Sequence, residues 1–413
     1  MSFRKKIGVM VASTGLAQLS LIVTGVVAAR GLGPEDRGYY AVLTLVPLVL
    51  SQVSQLGIPI AVTYFLASDG GVADGMLSKL RRIVSTQALT AVAIALVTVL
   101  VLRHRIDGNL ILPALLMVPA IVGLIVQEYA YAVLQGLDRF GHVAVARLFP
   151  AVVYALIAGA LWFGDAVSLA TMSGAWAIAY CLSALLGIVM IRRIGLSGSK
   201  PGAARSTREL MRFGARAFVG TVAPLDVFRF DQILGSILLT PVSLGIYVVS
   251  AAFSSLPKIV AANVGHVVYV DTANRIAVSR SHLSALVGKV VRLSLLGAIP
   301  CLVLIALLPM LNDFMFGAEF ADAALPSQIL VAAAWISGVR RLVSEFAKGV
   351  GKPEVQAAAE VTICGVVAVF AFALCPIYGY IGLAVAVGVS QMIVLLLSIG
   401  LLMVYLRRDG IRT

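Results

Sequence analysis

The sequence predicts an all-α polytopic membrane protein with twelve transmembrane helices in two pseudo-symmetric lobes of six. The first observation is composition: mean hydropathy is +1.01 and only 12% of the 413 residues are charged, whereas a soluble domain has about a quarter. The second is a series of twelve long apolar runs, and the third is an uneven distribution of Lys and Arg between alternate loops. Together they indicate a protein that lies almost wholly within a bilayer.

Each apolar run is long enough to cross a membrane, since a hydrocarbon core of about 30 Å takes about 20 helical residues. The runs cover residues 7–29, 39–67, 83–102, 110–134, 143–163, 169–191, 213–239, 244–264, 290–311, 324–346, 355–375 and 381–406. The first follows a basic N-terminus, as a signal peptide would. Its length and the eleven runs after it favour a retained helix instead.

The basic residues predict the orientation. Of the 32 Lys and Arg residues, 27 fall in loops or span ends on the same side as the N-terminus. By the positive-inside rule this side is cytoplasmic, and an even number of spans places the C-terminus there too. The net charge of +13 is then explained by topology and by attraction to anionic lipid headgroups, so no nucleic-acid partner is expected.

The chain divides near its middle. A polar segment rich in Gly, Ser and basic residues separates spans six and seven, which predicts an N-terminal lobe at 1–195, a cytoplasmic basic linker at 196–212 and a C-terminal lobe at 213–413. The halves resemble each other: "LQGLDRFGHVAVAR" aligns with "AKGVGKPEVQAAAE" at an offset of 213, and "RGYYAV" with "LGIYVV" at 207. Two such repeats predict a cleft suited to alternating access, with a site near the bilayer midplane.

Metal, cofactor and enzyme chemistry are not expected. The four cysteines and four histidines are scattered without ligand spacing, so the sequence predicts no disulfide and no metal site. No GxxxxGK[ST] loop is present to bind a nucleotide. The outer loops, such as "FGDAV", are too short to carry the polar catalytic loops of a membrane polymerase or ligase.

Span seven contains three ionisable residues, which are costly in a membrane and often functional. Asp226 and Arg229 are three residues apart, so on a continuous helix they share a face and are predicted to pair. Asp231 lies elsewhere. Arg229 is a candidate for binding pyrophosphate or an acidic sugar, because its planar fork binds two oxygens at once; Asp226 and Asp231 are candidates for ion coupling. Alternatively, the charges only hold helices together.

Span four carries a polar stripe at helical spacing, and it has a counterpart in span ten. The stripe consists of Gln127, Glu128, Tyr131 and Gln135. Such side chains either line a cavity or hydrogen-bond between helices. At the offset of 213, Glu128 corresponds to Arg341, so the two are predicted to form a cytoplasmic-side gate.

Two simpler interpretations compete for the basic pair of span ten. Arg340 and Arg341 are near the predicted cytoplasmic end and can snorkel to the headgroups, which we favour. Arg341 can also pair with Glu345 one turn later.

Amides in the first two spans are candidate sugar ligands. Gln52, Gln55 and Pro59 share a face of span two, and Gln18 lies in span one. Amides suit a sugar-binding cavity, but each can equally serve helix packing.

The sequence resembles the polysaccharide-export branch of the multidrug, oligosaccharidyl-lipid and polysaccharide (MOP) transporter superfamily. The resemblance covers nearly the whole chain. It is carried, in order, by "ARGLGPEDRGYYAVLTLV", "LQGLDRFG", "FRFDQILGSILLTPVSLGIYVVSAAF", "MFGAEFADAALPSQIL", "GVGKPEVQAA" and "PIYGYIGLAVAVGVSQ".

The resemblance implies a flippase that moves undecaprenyl-linked oligosaccharides from the inner to the outer leaflet of the bacterial inner membrane. It also implies a polysaccharide polymerase and glycosyltransferases as functional partners. A multidrug or small-metabolite antiporter of the MATE type, which has the same architecture, is the alternative. Span one is implied to lie beside the cavity, so Arg30 at its outer end is expected to meet anionic substrate, whereas Arg37 is expected to be only solvated.

Overall fold

A computed structural model describes residues 3–68, 73–102, 108–194, 200–203, 206–221, 223–278 and 283–408. The described helices of the first half are α1 Phe3–Gln55, α2 Ile58–Ser68, α3 Met76–Leu102, α4 Gly108–Gly136, α5 Phe140–Phe163, α6 Leu169–Arg193 and α7 Thr207–Thr221. Those of the second half are α8 Pro224–Val227, α9 Phe230–Leu238, α10 Pro241–Ser250, α11 Ser255–Val278, α12 Leu283–Phe316, α13 Ala324–Gly349 and α14 Glu354–Arg408. Short strands β1 (Ala73–Asp74) and β2 (Lys200–Ala203) pair in parallel, and 3₁₀ turns occupy Ala252–Ser254 and Ala318–Ala323.

Nine helical stretches in the described part of the chain are long and apolar enough to cross a membrane. Two of them, Gly8–Gln55 and Glu354–Leu406, contain 48 and 53 residues. At 1.5 Å per residue each is more than twice as long as a bilayer core of about 30 Å. Each is also broken by a glycine with positive φ, at Gly33 and Gly379. The protein is therefore a multi-pass membrane protein, and the exact count of twelve spans stays a prediction.

Three predicted spans are not continuous helices. Span two breaks at Leu56 and Gly57, both of which have positive φ. Span seven is divided among α7, α8 and α9, and span eight among α10, a 3₁₀ turn and α11. Averaged hydropathy does not detect such breaks because the flanking residues remain apolar.

Helix ends follow local chemistry. Pro34 comes directly after the Gly33 break, since proline suits the first turn of a helix. Ser168 and Thr171 form a reciprocal capping box at the start of α6, and the Thr240 side chain caps α10. These residues satisfy backbone N–H groups that would otherwise be unpaired.

The contacts divide the chain into two units. The first comprises residues 1–32 and 39–221, and the second residues 33–38 and 222–413. Helix α7 packs on α2 in the first unit, where Gly214 meets Gly57 and the rings of Tyr64 and Phe213 stack 4.6 Å apart. The C-terminal lobe is predicted to start at residue 213, and residues 196–199 and 204–205 of the predicted linker (196–212) lie outside the described residues.

Within the first unit, α4 and α6 pack closely. Gly123 faces the backbone of Tyr180, and Gly187 faces Ala130. Small residues let transmembrane helices approach each other in this way. In the second unit, α12 exposes a row of large apolar side chains, as expected of a surface that contacts lipid: Leu295, Leu296, Ile299, Leu302 and Val303.

Segments 34–38 and 241–245 cross within the second unit. A Cβ on Gly38 would overlap the carbonyl of Pro241, and a Cβ on Gly245 would overlap the carbonyl of Pro34. The two prolines are 207 positions apart, and so are the two glycines. This is the offset that relates "RGYYAV" to "LGIYVV". The contact is therefore reciprocal between corresponding residues of the two repeats.

Candidate functional site

The break in span seven holds Arg229 in an unusual conformation. Helix α8 ends at Val227, Arg229 is left-handed with φ 48° and ψ 53°, and α9 begins at the next residue. A non-glycine residue in this region costs about 1–3 kcal/mol, and such strain is common at functional sites. The Arg229 side chain is exposed. The second unit thus presents a cation at a helix break within a predicted span.

Asp226 pairs with Lys258 rather than with Arg229. The Lys258 Nζ lies 2.9 Å from the Asp226 Oδ1, with the two side chains 34% and 38% exposed. The predicted pair with Arg229 is wrong because the helix ends between the two residues, so a spacing of three no longer gives one face. Arg340 and Arg341 add to the positive potential at Asp226.

Asp231 lies in the first turn of α9 and is hydrogen-bonded. The hydroxyl of Tyr247, which is fully buried in α10, donates to its Oδ2 at 2.7 Å. The bond fixes the carboxylate and connects two short helices. Asp231 is therefore positioned by Tyr247, which helical spacing along span seven does not predict.

Arg340 is buried and anchored between helix segments. It donates from Nη1 to Glu360 Oε1 at 2.8 Å and from Nε to Gln391 Oε1 at 3.2 Å. Only 5% of Arg340 and 7% of Glu360 are exposed. The snorkelling interpretation is therefore wrong for Arg340, because its charge is satisfied inside the protein by side chains of α14.

Arg341, the second basic residue of span ten, is exposed, whereas Arg340 is buried. Glu345, its predicted alternative partner, instead lies 2.7 Å from the Nζ of Lys348. The Arg341–Glu345 pair is therefore not formed. The gate between Glu128 and Arg341 stays a prediction.

In the first unit, two amides of span two lie beside its break. Gln55 is the last residue of α1 and is buried, and its Nε2 makes no hydrogen bond. Gln52 is half-buried one turn earlier. A buried amide without its partners is costly, so its donor is available to a ligand or a water molecule.

The residues of the polar stripe on α4 differ in burial and in hydrogen bonding. The Tyr131 hydroxyl donates to the Ala146 carbonyl on α5 at 2.9 Å, and Tyr131 thus serves interhelical bonding. Gln127 is buried with an unbonded Oε1. Glu128 is half-buried and attracted by Arg147, whose guanidinium lies 5.6 Å from the centre of the Tyr131 ring.

The remaining candidates lie in or just after span one. Arg30 is exposed and Gln18 is half-buried. Arg37 is half-buried with an enclosed Nε, so the expectation that it is only solvated is wrong.

Sequence reasoning missed four residues of the second unit: Lys258, Tyr247, Glu360 and Gln391. In the sequence, Lys258 is only one of the basic residues that indicate topology, and Glu360 is only the last residue of the repeated segment "AKGVGKPEVQAAAE". The repeat contains a signal for the pair of Arg340 and Glu360. At the offset of 213, Arg340 corresponds to Gln127 and Glu360 corresponds to Arg147. Among the described residues, no cluster of His, Cys, Asp or Glu could hold a metal ion.

The fold is that of the MOP transporters. Similar structures include an inward-facing multidrug resistance MATE family transporter of the MOP superfamily (TM-score 0.71, 10% identity, 95% of each chain covered). They also include the lipid II flippase MurJ in an inward closed conformation (0.68, 16%, 94% of this chain and 86% of that one) and a Vibrio cholerae MATE transporter, VcmN (0.64, 15%, 98% and 97%). At these identities the likeness concerns the fold alone.

The sequence itself shows the family. Residues 3–269, more than half of the chain, match the polysaccharide biosynthesis protein family, and the chain belongs to that family. The predicted resemblance is thereby confirmed. No curated protein matches the sequence.

Proposed function

We propose that the protein translocates a polyprenyl-linked oligosaccharide from the inner to the outer leaflet of the bacterial cytoplasmic membrane by alternating access. Family membership supports a role in polysaccharide biosynthesis, and the fold supports transport. Under this proposal the termini are cytoplasmic, glycosyltransferases supply the substrate and a polymerase consumes it.

The observation that carries the proposal is the exposed Arg229 at the break in span seven. Its predicted partner, Asp226, is engaged by Lys258. A guanidinium at membrane depth attracts phosphate and binds it through two parallel hydrogen bonds. The same charge repels the organic cations typical of drug efflux. The charge at this break therefore favours a substrate with a phosphate-linked head.

The other candidates have roles that follow from their chemistry. Arg30 and Arg341 offer further positive charge to the diphosphate, and Gln18, Gln52 and Gln55 offer amides to sugar hydroxyls. Asp226 and Asp231, held by Lys258 and Tyr247, are the carboxylates available for ion coupling. Glu128 and Arg341 are the proposed gate.

A MATE-type antiporter is the second candidate. The observation that favours it is Asp231, a carboxylate fixed by a buried tyrosine within a broken helix, since transporters place coupling ions at such breaks. Export of polymer and efflux of dyes can be measured on the same variants, so one experiment separates the two functions.

Replacing Arg229 by Ala is expected to abolish polymer export while the protein remains in the membrane. Arg229→Lys keeps the charge but loses the fork and is expected to retain part of the export. The measurement is surface polysaccharide in a host that depends on this chain, with membrane content checked by immunoblot.

Arg229→Gly controls for the backbone, because glycine adopts φ 48° without strain. If charge is what matters, Gly and Ala lose export equally. Normal export by Arg229→Ala would remove Arg229 from the site. Dye efflux that depends on Asp231 in a chain that exports no polymer would favour the antiporter.

A further inference from the structure

A basic cavity lies in the first unit, and none of the candidate residues discussed above lines it. It is formed between the start of α5 and the end of α6 and has a volume of about 420 Å³. Arg139, His142 and Arg193 line it together with an apolar wall that includes Leu186, Val189 and Met190. We propose that this cavity binds the phosphate headgroup of an anionic phospholipid.

Its position suits a lipid headgroup. Helices Phe140–Phe163 and Leu169–Arg193 are both candidate membrane spans. Arg139 immediately precedes the first, and Arg193 ends the second. The cavity is therefore at the level where hydrocarbon gives way to headgroups, on the side where most basic residues of the chain fall.

Its chemistry suits phosphate. Two guanidiniums and an imidazole provide several N–H donors, and arginine binds phosphate oxygens in pairs. Helix α5 begins here without a side-chain cap on its first turn, so the positive end of its dipole adds to the attraction. Basic pockets between transmembrane helices on the cytoplasmic side are known to suit anionic lipid headgroups.

Two negative contributions are also present, and neither neutralises the cavity. Asp138 is exposed and precedes Arg139, but it does not line the cavity. The carboxyl end of α6 has partial negative charge, which Arg192 and Arg193 in its last turn offset.

The apolar wall distinguishes a lipid from a free anion. Leu186, Val189 and Met190 follow one side of α6 next to the arginines, where acyl chains would continue from a bound headgroup. Free phosphate would gain nothing from this surface, because it has no apolar area to bury. The site is therefore assigned to lipid, and its occupancy does not depend on which substrate is transported.

The test compares thermal stability of the purified full-length protein after delipidation in a zwitterionic detergent. Adding phosphatidylglycerol is expected to raise the Tm of the wild type more than phosphatidylcholine does. The double variant Arg139→Gln/Arg193→Gln should lose this difference. Arg192→Gln is the control for charge at the end of α6, since it removes one positive charge beside Arg193 but does not line the cavity.

A second measurement keeps the test valid if the double variant is less stable. Native mass spectrometry should show phosphatidylglycerol retained by the wild type, by Arg192→Gln and by Arg139→Lys/Arg193→Lys, and lost from the Gln double variant. Equal retention by the Gln double variant, or equal loss from Arg192→Gln, would overturn the proposal. So would a Tm shift of the same size with inorganic phosphate alone.

Discussion

Arg340 and Glu360 form a buried ion pair in the second unit, with Nη1 and Oε1 2.8 Å apart. Burying both charges is costly, so the pair contributes little net stability compared with apolar residues of the same shape. Removing only one member of the pair is strongly destabilising, because the other charge is then buried without compensation. The pair between Asp226 and Lys258 has a similar N–O distance, 2.9 Å, but its side chains are more than a third exposed on average.

We expect Glu360→Gln to lower the free energy of unfolding by about 3–5 kcal/mol, the usual cost of breaking a buried pair. Asp226→Asn, the control at the exposed pair, should cost no more than about 1 kcal/mol. Denaturant unfolding in mixed micelles measures both. The double variant Arg340→Met/Glu360→Met should recover most of the loss; equal losses in the two single variants would contradict this account.

At the scale of helices, the crossing of segments 34–38 and 241–245 depends on two glycines. Each faces a carbonyl of the other segment, so the backbones are in direct contact. Close backbone approach is a situation in which only glycine fits. Because the contact joins corresponding residues of the repeat, it fixes two helix starts against each other.

Gly245→Ala and Gly38→Ala are each expected to separate this crossing and to lower the Tm by several degrees, since a Cβ meets backbone that cannot rotate away. Gly159→Ala in α5 is the matched control: it lies inside a helix with open space at its Cβ and should be neutral or slightly stabilising. Differential scanning fluorimetry compares the three variants. A Gly245→Ala variant as stable as Gly159→Ala would show that the crossing is not close.

The sequence predicts that the membrane-spanning helices exist, but it does not predict where they are broken. Apolar length predicts a span because every residue in the bilayer must be compatible with hydrocarbon. The breaks at Leu56 and Arg229 depend on single backbone conformations, and neither residue favours positive φ by itself. Pairs such as Asp226 with Lys258 join residues far apart in sequence, so helical spacing pointed to the wrong partner.

At the scale of the whole molecule, one pair of corresponding positions in the two repeats carries opposite charges and interacts electrostatically within each unit. In the first unit, Glu128 on α4 is attracted by Arg147 on α5. In the second, Arg340 on α13 pairs with Glu360 on α14, and Arg147 and Glu360 correspond at the offset of 213. Arg147 and Glu360 thus carry opposite charges at corresponding positions of the fifth span of each half, whereas Arg340 corresponds to Gln127 and not to Glu128.

The proposed movement of a lipid-linked saccharide across a bilayer by this chain can be measured in vitro. Purified protein in proteoliposomes with a fluorescent polyprenyl-diphosphate saccharide tests it most directly, with loss of signal to a membrane-impermeant quencher as the readout. The wild type is expected to exchange the lipid between leaflets many times faster than protein-free vesicles, and Arg229→Ala is expected to match the vesicles. Transport of cationic dyes without exchange of the lipid would contradict the claim.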